Sequence, residues 1–99
     1  MELFKMAKEA LSMRSKFSEM EKKLKAHIID IEYKGVKVRV NAKNEFLNLD
    51  ISTELLEEKK EKIEKVVLAA FEEARKKAQA VMAEESKKIM GEMKLPGLN

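Results

Sequence analysis

The 99-residue sequence predicts an α+β fold: a helix, a three-stranded antiparallel sheet and a long second helix, with the helices pairing as an antiparallel arm that projects from the sheet. Three observations carry this reading. Apolar residues recur every 3.5 positions up to His27, β-branched residues then alternate with polar ones from Ile28 to Ile51, and a long Ala/Glu/Lys-rich stretch follows.

The first helix is expected over residues 2–27. Leu3, Met6, Ala10, Met13, Phe17, Met20, Leu24 and His27 fall at steps of three and four, a coiled-coil seam free of Gly, Pro and β-branched residues. Strands are expected at 28–34, 36–41 and 46–51. Ile29, Ile31 and Tyr33 share one face of the first, and Val36, Val38 and Val40 one face of the second. Lys34-Gly35 supplies a tight turn between them, and Asn41 to Glu45 a second turn. In the third strand Leu47, Leu49 and Ile51 alternate with Phe46, Asn48 and Asp50. The second helix is expected over 53–90, capped by Ser52 or Thr53, with Glu54, Glu57 and Glu58 at its positive end. Its apolar line runs through Leu56, Ile63, Val67, Ala70, Ala74, Ala78 and Val81 to Ile89, and Gly91 offers a C-terminal stop. Residues 1–91 form one domain, and 92–99 a tail.

Helices of these lengths span about 38 Å and about 50 Å, whereas a compact domain of this size has a radius of gyration of about 13 Å. They must therefore project. The bulky Met6, Met13, Phe17 and Met20 of one helix are expected to enter grooves lined by Ala70, Ala74 and Ala78 of the other. Three strands under one arm make a thin core, so a homodimer whose sheets meet at the centre is expected.

Composition narrows the chemistry. With no cysteine and one histidine, the chain offers neither disulfides nor thiolate metal sites, and little for imidazole catalysis. No apolar run approaches the roughly 18 residues of a membrane span, and the N-terminus lacks the apolar stretch of a secretory signal, so a cytoplasmic protein with no membrane association is expected. His27 lies near Asp30 and Glu32, too few ligands for a metal site, and Ser52 and Thr53 lack a base, which leaves capping as their work. No catalytic residues, cofactor or metal are expected. Met6, Met13 and Met20 read as seam packing, while Met90, Met93, Leu95 and Leu98 either cap the arm tip or await a partner.

The basic residues carry the functional expectation. Net charge is only +3, with the excess concentrated before Ile28. Lys8 and Lys22 lie opposite the seam, flanked by Lys5 and Lys25, with Ser12, Ser15 and Ser18 between. Arg75, Lys76, Lys77, Lys87 and Lys88 fall in the half of the second helix expected beside Lys5, Lys8 and Arg14. Such an arm would grip an anionic polymer by its backbone, with Lys16 among the contacts.

Four segments then carry a resemblance: Val36-Lys37-Val38-Arg39-Val40-Asn41, Ile51-Ser52-Thr53-Glu54-Leu55-Leu56-Glu57, Ala69-Ala70-Phe71-Glu72-Glu73-Ala74 and Gly91-Glu92-Met93-Lys94-Leu95-Pro96-Gly97. In this order and spacing the chain resembles the YbaB/EbfC family of bacterial nucleoid-associated proteins. The resemblance implies a tweezer-like homodimer of the cytoplasm and nucleoid that binds double-stranded DNA with little sequence preference and contributes to chromosome organisation. The chain departs from the family where Ser52-Thr53 replaces the common Asp-Pro, where Tyr33-Lys34-Gly35 shortens a glycine-rich loop, and where Ala42 stands in place of glycine.

A second reading is a prefoldin-like coiled-coil chaperone or adaptor, with Leu3, Phe4, Met90 and Leu95 offered to protein clients at the arm tips. Partnership with a replication or recombination protein is a third, left open by the residues alone.

Overall fold

Helix α1 covers Glu2–Ala26 and is followed by strands β1 (Ile28–Tyr33), β2 (Val36–Asn41) and β3 (Phe46–Ile51), the one-turn helix α2 (Thr53–Leu56) and the long helix α3 (Lys60–Met93). These elements come from a computed structural model, which describes residues 2–93. Of the expected tail, residues 94–99 lie outside the described residues.

The strands form one antiparallel sheet in the order β1-β2-β3. Their register stacks Ile29, Val40 and Phe46 in one row, Ile31, Val38 and Leu49 in the next, and Tyr33, Val36 and Ile51 in a third, all on one face. The opposite face carries Asp30, Arg39 and Asn48, then Glu32, Lys37 and Asp50. The apolar face is roofed by α3. Val36, Val38, Val40, Ala70, Ala74 and Ala78 are fully buried there together with Ile29, Ile31, Leu55 and Val66.

Both turns have a local cause. Lys34 and Gly35 hold φ of 48° and 94°, the paired positive values that a two-residue hairpin turn requires, so the first strand stops at Tyr33 instead of residue 34. Between β2 and β3 the buried Asn41 side chain organises the loop: its carbonyl oxygen accepts from the Lys43 and Glu45 N–H groups at 3.0 Å, and its amide donates to Glu45 at 2.7 Å. The end of α1 is fixed to the same loop, because the Ala42 N–H donates to the Leu24 carbonyl at 3.0 Å and to that of His27 at 3.1 Å.

Four expectations are corrected. The register shifts between Arg39 and Val40, making Leu47 an extra residue, so Phe46 and not Leu47 shares the face of Leu49 and Ile51. The helix expected over 53–90 is broken at 57–59. Glu57 closes α2, and the Lys59 carbonyl restarts the ladder by accepting from Lys62 and Ile63. The break lets the chain turn between two anchorages, Leu55 beside the Gly35 turn and Val66, Ala70 and Ala74 over the sheet; Leu55 is buried and Leu56 exposed. Gly91 does not stop α3, which runs to Met93; an interior glycine costs only about 1 kcal/mol relative to alanine.

The fourth correction concerns the arm. Met20 Sδ lies 3.9 Å from Ser86 Oγ, and Lys23 lies 3.7 Å from Glu85, which sets the helix register. Counting forward along α1 and back along α3, Leu24 comes level with Met82, and α1 ends before Ala78 is reached. Ala70, Ala74 and Ala78 therefore receive the sheet and not the α1 methionines. Counting the other way brings Met13 level with Met93, so the first three turns of α1 extend past the end of α3, and Leu3 and Met6 are 83% and 66% exposed. The described residues measure 69 × 23 × 16 Å with a radius of gyration of 19.4 Å, the elongation expected of a projecting arm.

Candidate nucleic-acid interface

Helical periodicity decides where each basic side chain points. Met13 and Met20 lie on the line of α1 that faces α3, a line that Met6 continues beyond the end of α3, and Lys8 and Lys22, fourteen residues apart, share the opposite line. Lys5, Lys8, Arg14 and Lys22 are exposed, while Lys16 is half-buried in the groove between the helices beside Glu19, Met20, Lys23, Glu85, Lys88 and Ile89. These five α1 residues occupy one arm. They surround it instead of lining a single face.

The basic residues of α3 divide. Lys87 and Lys88 stand on the arm, on the turn that faces Lys16 and Met20. Arg75, Lys76 and Lys77 do not reach Lys5, Lys8 or Arg14, because the register places them over the sheet, beyond the end of α1. Nor do they form one cluster, since successive helical residues point 100° apart. Arg75 is engaged by Glu72 one turn earlier, an ion pair that holds the Glu72 carboxyl below the usual range and raises the guanidinium further. Lys76 and Lys77 remain exposed near the base.

One positioning residue escaped sequence reasoning. Glu85 is mostly covered, and its two carboxylate oxygens face Lys23 of α1 at 3.7 Å and Lys88 of α3 at 3.5 Å. It joins the helices and aligns two cations along the groove. An acidic residue in a basic stretch gave no signal, although Glu85 and Lys88 stand at the helical spacing of three.

Charge separates along the molecule. Residues 2–27 and 78–93 carry nine lysines and arginines against seven glutamates, whereas residues 28–77 carry eleven against eleven acidic residues. The outer sheet face is self-compensated: Arg39 holds Asp30 through hydrogen bonds of 2.8 and 3.3 Å, which keep the Asp30 carboxyl below its ordinary range. The arm alone presents excess positive charge. Among the described residues no group of three His, Asp or Glu side chains is placed to hold a metal ion, and no helix is long and apolar enough to cross a membrane.

Comparison with known proteins agrees with this geometry. A nucleoid-associated protein of Pelotomaculum thermopropionicum is 33% identical over 97 residues, covering 95% of this chain and 92% of the relative. Another from Afipia carboxidovorans is 34% identical over 96 residues, covering 94% and 91%. Among solved structures, that of an uncharacterized protein from Helicobacter pylori matches the fold with a TM-score of 0.83 at 23% identity, covering 91% of this chain and 98% of that one. Residues 1–93 match the model of the YbaB/EbfC DNA-binding family, and the chain belongs to that family.

Proposed function

We propose that the protein is a non-catalytic, nucleoid-associated component of the cytoplasm that binds double-stranded DNA through phosphate contacts from its arm, with little sequence preference, and so contributes to chromosome organisation. The segregation of basic charge onto the arm carries the reading, together with family membership. Lysine and arginine on a helix pair too wide for one groove grip the phosphate backbone, which positions without reading bases. Lys5, Lys8, Arg14, Lys16, Lys22, Lys87 and Lys88 are the contacts assigned to the arm, with Lys76 and Lys77 as flanking contacts at its base.

The DNA-binding unit is a homodimer. The outer sheet face is charged, but β3 is an edge strand whose Phe46, Leu47 and Leu49 are about half exposed, and Leu68 is exposed on the α3 flank that carries Phe71, whose ring packs 4.9 Å from that of Phe46. This apolar flank is what a second copy would cover, leaving both arms free. Leu49→Glu should convert dimer to monomer in sedimentation at micromolar concentration; an unchanged mass would remove β3 from the interface.

Titration of a duplex of about 40 base pairs across a salt series tests the function. Log affinity should fall linearly with log salt, with a slope near −0.9 per phosphate contacted. Absence of binding at low salt sinks the proposal. Salt-insensitive suppression of client aggregation would instead favour a chaperone using the exposed Leu3, Phe4 and Leu11 of the arm tip.

A further inference from the structure

A covered carboxylate sits within the basic arm. Lys16, Glu19, Lys23, Glu85 and Lys88 line the groove between α1 and α3, and the Glu85 side chain is only 17% exposed, against 71% for Lys23 and 63% for Lys88. Its Oε2 faces Lys23 Nζ on α1, and its Oε1 faces Lys88 Nζ on α3. One anion thereby engages two cations on two helices. Packing does not require it. Met20 lies against Ser86, and Ile89 is buried in the same groove, so the helices also meet through uncharged groups at this level. A covered carboxylate is screened less by salt than an exposed one, and it keeps its hold on both lysines at ionic strengths where exposed pairs fade.

We propose that Glu85 is an internal competitor for phosphate, which holds Lys23 and Lys88 in the groove and so limits how tightly the arm grips DNA; the inference rests on the DNA-binding reading given above. The chemistry of the two anions supports it. A carboxylate and a phosphodiester both offer oxygens to an ammonium in charge-assisted hydrogen bonds, and a lysine engaged by one is less available to the other. Lys88 therefore meets phosphate while still sharing its charge with Glu85. Lys23, directed across to α3, is withheld, whereas its neighbour Lys22 stands exposed on the opposite line of α1. Glu85 thus sets the strength of the grip without touching DNA.

Titration of the full chain with a duplex of about 40 base pairs across a salt series tests the competitor. Glu85→Gln keeps the shape and removes the charge, and should bind about fivefold more tightly with a salt slope steeper by about one, as Lys23 is released to phosphate. Adding Lys23→Gln to that variant should return both affinity and slope to about their starting values. The control is Glu84→Gln, which removes the same charge from the same turn of α3 at an exposed position and should gain less than about twofold with no change of slope. Weaker or unchanged binding by Glu85→Gln would overturn the proposal, because a residue that only joins the helices gives a loss when removed. An equal gain from Glu84→Gln would overturn it too, by reducing the effect to net charge. Urea midpoints establish that each variant is folded. Should Glu85→Gln fail to fold, Glu85→Asp decides: it retains the charge but draws the carboxylate back by one methylene, so affinity should rise about twofold, and a fall would overturn the proposal. An unaltered chain that does not bind at low salt removes the proposed function itself, whereas an unaltered chain that binds while Glu85→Gln binds no more tightly removes only the competitor.

Discussion

A β-carbon built on Gly35 would lie 2.6 Å from the Ser52 hydroxyl oxygen, so the hairpin turn and the N-cap of α2 occupy one tightly shared space. The two residues are also bonded, the Ser52 N–H donating to the Gly35 carbonyl at 2.8 Å while Ser52 Oγ accepts from Leu55 N–H at 3.1 Å. Turn and cap therefore stand or fall together. Gly35→Ala adds a side chain at φ of 94° and displaces the cap, and should cost about 1–3 kcal/mol, read as a lower urea midpoint with an unchanged slope. Ser52→Ala, which loses only the cap, should cost about 1 kcal/mol.

Asn41 closes the second hairpin by three hydrogen bonds from a buried position, and Asn41→Ala should cost about 2–3 kcal/mol in the same measurement. The amide it donates to Glu45 also holds that carboxyl below its ordinary range. A depressed folded-state pKa means that the stabilisation is present above about pH 4.3, where the unfolded carboxylate is charged, and is lost as pH falls through the folded value. Glu45→Gln should therefore flatten the decline of stability between about pH 5 and pH 3.

Ala74 has no exposed surface and lies where α3 meets the sheet. Ala74→Leu should force the helix off the strands and cost about 1–3 kcal/mol, whereas an equal enlargement at Ala80, on the solvent side, should change the urea midpoint little.

Charge reversal should separate arm from base. Lys8→Glu with Lys22→Glu should weaken duplex binding about tenfold on all sequences alike and lower the salt slope by about two. Arg75→Glu, removing a residue engaged by Glu72 over the sheet, should change affinity less than about twofold. Fluorescence titration with two unrelated duplexes compares them.

Much of the architecture was written in periodicity. Val36, Val38 and Val40 alternate so strictly that the central strand and its buried face could be read directly, and the seam from Leu3 to His27 identified α1 as a pairing helix, although α3 meets it only from Met13 onward. What escaped had physical reasons. The face of Phe46 depends on a bulge at Leu47 that no local propensity marks. The break at 57–59 consists of Glu57, Glu58 and Lys59, all residues that a helix accepts, and it arises from tertiary anchoring at Leu55 and Val66. The alanine stripe at 70, 74 and 78 suits a helix or a sheet as neighbour, so the sequence could not decide between them. The positions of the α1 cations along the arm were legible because α1 is one uninterrupted helix. The expected placement of Arg75, Lys76 and Lys77 beside Lys5, Lys8 and Arg14 failed because the register between the helices is set by contacts such as Met20 with Ser86, which sequence spacing does not reveal.

The 69 Å length of the molecule changes what its net charge means. At physiological ionic strength a charge is felt over about 8 Å, so the far end of the arm and the sheet lie several screening lengths apart, and their charges meet only where the two adjoin, as at Lys43 and Glu21. A polyanion meeting the arm encounters an excess of cations, and one meeting the base encounters a balanced surface. The formal +3 is thus a sum that no partner ever experiences. What a partner experiences is polarity of orientation, which brings the molecule in arm first before any contact is made.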